Sequence, residues 1–312
     1  MIDGLIQKHL IQNVPDENVA VLLSGGIDSL SVGISAHRIG KSVKAYSFHL
    51  EGKPSADSEK AKHIANVMGW PIKVCEVKTD NLKEDWERAQ KFGCWRKAQI
   101  ECLVPFFYIL PEIEEKYVLS GMGAEHWYGF SRKFCQHWRH DRKTYDAKRL
   151  EMFEIGKGST FQLDLLAQEY DKICIHPYAK YGLWSEGDER IERYFLSKDW
   201  WELNDGKPIA GSKQKCLTRK AYEKELNEIG NIKRHANLQI ESGMNVVFEE
   251  ILGDAEWNLD QRSRMIDLAR DKTKELVAEF SSRWEEMPDE DRNALLAEIL
   301  DDMEEDFEEQ SS

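Results

Sequence analysis

The sequence predicts a doubly wound α/β fold, a parallel sheet covered on both faces by helices, with a helical extension after it. Three observations carry the prediction. Short runs rich in β-branched and aliphatic residues recur at 19–23, 43–48, 72–77 and 116–119. Helical stretches separate them, in the order that right-handed crossovers between parallel strands require. Two of the runs end directly in Ser-Gly turns, and parallel sheets bind ligands at the carboxyl ends of their strands.

The first run is Val19-Ala20-Val21-Leu22-Leu23, followed by Ser24-Gly25-Gly26-Ile27-Asp28-Ser29. Its apolar continuity suits a strand buried on both faces. The two glycines let the backbone turn sharply and come close to a ligand, with N–H groups free to point inward. A helix from Ser29 to Ile39 would aim its positive end at the same point, so the loop reads as a phosphate cradle. Asp28 beside a polyphosphate makes chemical sense as a ligand for Mg²⁺, which takes one or two carboxylates plus phosphate oxygens. The string is not a Walker A loop, which needs four residues between its glycines and then Gly-Lys-Ser/Thr.

Val43 to Phe48 and Ile72 to Val77 are the next two strands. Between them Ser58 to Met68 reads as a helix stopped by Gly69 with Pro71 beyond it. Residues 82–100 read as one amphipathic helix, and Val104 to Leu110 as an apolar helix before Pro111. Lys116-Tyr117-Val118-Leu119 is the fourth strand, and it opens into Ser120-Gly121-Met122-Gly123-Ala124-Glu125-His126. If the first and fourth strands are neighbours, both Ser-Gly loops face one pocket, and Asp28 and Glu125 can share a magnesium ion. Residues 131–149 hold seven basic side chains against Asp141 and Asp146, interleaved with Phe134, Trp138 and Tyr145. Such a segment can grip RNA or a phosphorylated substrate, and it is also an ordinary solvated helix face with aromatic anchors. Residues 254–300 keep a helical period through Leu259, Ile266, Leu276, Phe280 and Leu296.

The net charge of −14 is a property of the tail. Residues 254–312 contain 20 acidic and 7 basic side chains, a net of −13, while the other 253 residues hold 36 bases against 37 acids. The run from Asp301 to Glu309 is a like-charge block expected to stay solvated and disordered. The six cysteines form no Cys-x-x-Cys pair and no zinc-finger spacing, so reduced thiols are expected. No apolar stretch is long enough to span a bilayer and no signal pattern opens the chain, so a cytoplasmic protein without membrane partners is expected.

Four blocks in order resemble the synthetase domain of the asparagine synthetase family, which includes β-lactam synthetases and lasso-peptide cyclases. They are Ser24-Gly25-Gly26-Ile27-Asp28-Ser29, Asp57-Ser58-Glu59, Ser120-Gly121-Met122-Gly123-Ala124-Glu125, and Lys213-Gln214-Lys215-Cys216-Leu217-Thr218-Arg219-Lys220-Ala221. The resemblance runs from about residue 19 to about 225 and implies a PP-loop fold of the adenine nucleotide alpha hydrolase type. It implies ATP and Mg²⁺ as cofactors, with the nucleotide held at Leu23, Ser24, Gly25, Gly26, Asp28, Ser29, Phe48 and Gly121. It also implies Asp28 and Glu125 as metal ligands, and Lys215, Asp28 and Glu125 as the catalytic set. A lysine at 215 would stabilise charge developing on the leaving pyrophosphate and the acyl-adenylate.

The departures from the family pattern lie mostly on the acceptor side. Met122 replaces a glutamate, Glu125 an aspartate and His126 a glutamate. In Cys174-Ile175-His176-Pro177-Tyr178-Ala179-Lys180 the family's arginine is Ile175 and its aspartate Lys180. The family's glutaminase domain starts with a cysteine after the initiator, whereas position 2 here is Ile2, so no glutamine hydrolysis is expected within this chain. An amide nitrogen would then come from ammonia, an amine substrate, or a separate glutaminase or other protein partner. The expected organisation is a PP-loop synthetase domain over 1–225, a helical extension over 226–300 and the acidic tail over 301–312. The resulting reading is an ATP-dependent ligase that adenylates a small-molecule carboxylate and joins it to ammonia or an amine. Two alternatives stay open. One is a PP-loop modifier of tRNA or a nucleobase, since lysidine synthetases carry the same first loop; the other is a nucleotide-binding interaction protein that has lost catalysis.

Overall fold

The computed structural model describes residues 1–94, 97–129, 140–153, 160–180, 187–204, 215–230 and 242–252. Its centre is a five-stranded sheet of β1 (Asn18–Leu22), β2 (Ser42–Leu50), β3 (Ile72–Val77), β4 (Tyr117–Leu119) and β5 (Ile173–Ile175). The spatial order is β3-β2-β1-β4-β5 and every pairing is parallel. From β1 the chain therefore builds outward through β2 and β3, then returns to the other side of β1 for β4 and β5. Such a reversal opens a crevice at the carboxyl ends of the two strands that flank it.

Fourteen helices are described: α1 (Ile2–Asn13), α2 (Ile27–Arg38), α3 (Ala56–Met68), α4 (Leu82–Lys91), α5 (Lys97–Leu103), α6 (Phe106–Ile109), α7 (Ala124–Tyr128), α8 (Arg142–Glu151), α9 (Thr160–Gln168), α10 (Glu189–Leu196), α11 (Trp200–Leu203), α12 (Cys216–Ala221), α13 (Glu223–Ile229) and α14 (Met244–Leu252). The period-two alternation of the strands sorts them onto two faces. Val19, Val21, Leu23, Val43, Ala45, Leu119 and Ile175 join one core with α1, α2, α7, α10 and α13. Ala20, Leu22, Tyr46, Phe48, Cys75, Val118 and Cys174 join the other with α4, α5, α6, α9 and α14.

All four predicted strands are present. Two helix readings need correction. The single helix expected over 82–100 is broken after α4, because Gly93 takes a left-handed φ of 78° and turns the chain. The apolar helix expected over 104–110 is only the short α6, which passes into a 3-10 turn containing Pro111. The helix after the first loop begins at Ile27, so Asp28 lies in its first turn. The expectations for 254–300, for the 301–312 tail and for the first part of the basic aromatic segment lie outside the described residues. No described helix is long and apolar enough to cross a membrane.

Within the described part of that basic segment, Tyr145 and Arg149 are core residues. Arg149 Nη1 donates to the Trp127 carbonyl at 2.9 Å and to the Phe195 carbonyl at 3.1 Å, and Nη2 pairs with Asp146. One guanidinium thus ties α7, α8 and α10 together, and its removal would take a charged donor from the Trp127 carbonyl, while Phe195 would keep the Lys198 N–H at 3.0 Å. Arg149→Met should destabilise the fold by about 3 kcal/mol, read as a lower urea midpoint; a change within about 0.5 kcal/mol would show that the three helices are held otherwise.

Candidate active site

The site is built where β1 and β4 end side by side, with Val21 of β1 level with Leu119 of β4. Leu23 prolongs the β1 ladder by donating its N–H to the Tyr46 carbonyl at 2.8 Å. The loop then closes on its own hydroxyls. Ser24 Oγ lies 3.2 Å from Ser29 Oγ and accepts the Gly26 N–H at 3.4 Å, while Ser29 Oγ donates to the Gly26 carbonyl at 3.1 Å. Gly25 has a φ of 75°, and a Cβ there would sit 2.7 Å from Lys60 Cβ. Gly26 caps α2 and has no side chain to offer the first-turn N–H groups.

Gly121 presses the second loop against the first. A Cβ on it would stand 2.4 Å from both the Asp28 carbonyl carbon and the Ser29 nitrogen. Gly123, with a φ of 87°, starts α7 and places Glu125 in its first turn. From the far side Lys215 reaches in as the N-cap of α12, in a left-handed conformation with φ 60°. That conformation costs a non-glycine residue on the order of 1 kcal/mol. Lys215 Nζ makes a short contact with Asp28 Oδ2 and lies 3.6 Å from Glu125 Oε1. Burial opposes the charged form, but the two carboxylates outweigh it, and the ammonium is held above the usual lysine range.

The residues singled out from the sequence therefore converge, with one qualification. Phe48 lies beyond the level of β1 on β2, and its ring packs into the second core, so its backbone is the part that faces the strand ends. Asp28 and Glu125 reach a common cation, and two carboxylates beside a backbone cradle are a donor set that suits Mg²⁺ with phosphate oxygens. Lys60, packed on Gly25 with Nζ 3.3 Å from Asp57, is a neighbour of the first loop that sequence reading passed over. Its signal was the lysine one turn into the Asp57-Ser58-Glu59 helix.

The departures noted in the sequence are absorbed by packing. Met122 is half-buried against the second core. Ile175 is core on the first face, and Lys180 pairs with Glu192 at 3.3 Å. His126 packs edge-on to Phe153, 4.9 Å between ring centres, and burial pushes its pKa down to about 4 despite Glu125. At neutral pH it is an uncharged ring and does not replace the charge of a glutamate.

Residues 5–238 match the family model described as asparagine synthase. No curated protein matches the chain.

Two outcomes follow from this geometry. Gly121→Ala should cost roughly 2 kcal/mol because the added methyl meets backbone that cannot yield, whereas Gly4→Ala, in open space in α1, should be neutral or stabilising by up to about 1 kcal/mol. Equal effects in thermal melts would contradict the close approach. His126, together with His9, which burial likewise pushes down to about 4, should also make stability fall as pH drops from 6.5 toward 4. In that window the unfolded chain takes up protons that the folded one refuses. A flat stability profile there, or an NMR midpoint for His126 near 6.5, would contradict its burial.

Proposed function

The chain belongs to the asparagine synthase family, and on that premise we propose that it is an ATP-dependent amide-forming ligase. In this reading a small-molecule carboxylate attacks the α-phosphorus of ATP, the bond to the β-phosphate oxygen breaks, and pyrophosphate leaves with the bonding electrons. Ammonia or an amine then captures the acyl group and AMP departs. The observation that supports the reading best is the meeting of Lys215 with Asp28 and Glu125 where two Ser-Gly loops face each other.

The named residues divide the work. Backbone N–H groups of Gly25 and the start of α2 would receive phosphate oxygens, and Ser24 and Ser29 brace the loop that presents them. Gly121 admits the second loop close to the first, next to the backbone near Phe48, where the AMP portion would lie. Asp28 and Glu125 would hold Mg²⁺, which when bound supplies positive charge to the pyrophosphate portion. The Lys215 ammonium, at the same two carboxylates, is placed to stabilise the negative charge that grows on the leaving group. The acceptor half departs from the family pattern at Met122, Ile175 and Lys180, whose side chains are taken up by the two cores and by Glu192. The glutamate, arginine and aspartate charges of the family pattern are missing there, which favours a carboxylate or amine other than the aspartate and ammonia pair. A separate glutaminase or another protein is a further source of nitrogen.

The test is pyrophosphate release from Mg·ATP across a panel of carboxylic acids, with and without ammonium or amines. Wild type should release pyrophosphate rather than orthophosphate with at least one acid. Asp28→Ala and Lys215→Ala should lower the rate by at least about 100-fold, the scale of losing one preorganised charge in a transition state. Absence of acid-dependent pyrophosphate release, or full activity in both variants, would refute the proposal.

A further inference from the structure

A buried polar line runs from α9 through β5 to the second loop. Asp164 is fully buried, and His176 and Ser120 are each 2 % exposed. His176 Nε2 lies 2.9 Å from Asp164 Oδ1, and His176 Nδ1 lies 2.7 Å from Ser120 Oγ. Ser120 Oγ in turn accepts the Met122 N–H at 3.1 Å, while the Ser120 N–H donates to the Ile175 carbonyl at 3.1 Å. An ionised carboxylate only accepts, so Nε2 carries a proton toward Asp164. With a neutral ring, Nδ1 accepts the Ser120 hydroxyl, whose oxygen is left to receive the Met122 N–H. Every member is satisfied in one direction.

Burying such a line is costly, and apolar side chains of similar shape would pack the same space more cheaply. What it supplies is direction. It ends on the residue from which the second loop springs, one position before the Gly121 that touches Asp28 and Ser29 and five before Glu125. We propose that Asp164 and His176 are positioning residues, acting through Ser120 to fix the second loop against the first and so to set Gly121 and Glu125 for Mg·ATP. The consequence for nucleotide rests on the function proposed above; the consequence for the loop does not.

Cys174 belongs to the same cluster, with its Sγ and one donor atom each of Asp164 and His176 all within 4.8 Å of one another. A metal held there would make His176 and Asp164 ligands rather than members of a hydrogen-bonded line, so the test includes it. Hydrogen–deuterium exchange of residues 120–126 and Mg·ATP binding are measured for wild type, Ser120→Ala, His176→Phe and Asp164→Asn. Ser120→Ala and His176→Phe should each speed loop exchange and weaken Mg·ATP by about tenfold, the effect of one or two lost buried hydrogen bonds, with exchange in β1 to β3 unchanged. Asp164→Asn, which keeps an acceptor oxygen, should retain most of the protection. Ser120→Ala removes a single oxygen and decides the matter if His176→Phe does not fold. Melting points that fall with loop exchange and Mg·ATP affinity unchanged would reduce the line to packing and overturn the proposal. Stoichiometric zinc in the purified protein, lost in Cys174→Ser, would overturn it as well. If wild type does not bind Mg·ATP, the functional reading fails and loop exchange alone decides the positioning claim.

Discussion

The pairing of β1 with β4 is the constraint on which the rest of the molecule depends. Two strands nearly one hundred residues apart in sequence lie in register at the centre of the sheet, and the chain reverses its winding between them. Neighbouring strands stand about 5 Å apart, so the loops that leave them either repel or interlock. Here they interlock, because position 121 has no side chain and the backbone of one loop rests on the backbone of the other. That contact sets the loop that carries Asp28 beside the loop that carries Glu125, and both carboxylates face one cation.

Electrostatics acts on this frame rather than creating it. Asp28 and Glu125 bring like charges to one side of the crevice, and Lys215 answers them from α12. The ammonium thus neutralises the same two carboxylates that would hold the proposed metal. A strained backbone at Lys215 and a mostly exposed Glu125 side chain are consistent with a lysine that exchanges partners. The fold pays for this arrangement with a buried ammonium and a left-handed residue, both of which run against stability.

The central half of the structure was legible because its signals are local. Apolar runs of strand length, a glycine pair, and Gly69 followed by Pro71 each act within a few residues, and β1 to β4 and α3 follow from them. What escaped reading depends on contacts distant in sequence. Ser31 and Ser35 look like solvent-facing residues of α2, yet both are buried, bonded to Tyr178 at 2.8 Å and Tyr222 at 2.6 Å. Strand β5 has only three residues and needs the edge of β4 to exist at all. Helix α1 carries a weak apolar stripe, and Ile2, Ile6 and Leu10 show their role only against the core that they cover. His176 drew no reading from the sequence, because its partners Ser120 and Asp164 are 56 and 12 residues away.

The family assignment carries the general chemistry, and the acceptor side is where this chain differs. A crystal structure with Mg²⁺ and an ATP analogue whose α–β bridge is non-hydrolysable would show how the β1–β4 crevice is used. In it phosphates should lie on the Gly25–Ser29 backbone, the metal at Asp28 and Glu125, and the Lys215 ammonium on the phosphates rather than on Asp28. Nucleotide bound away from the β1–β4 crevice, or bound with Lys215 still locked on Asp28 and no metal between the carboxylates, would contradict this arrangement.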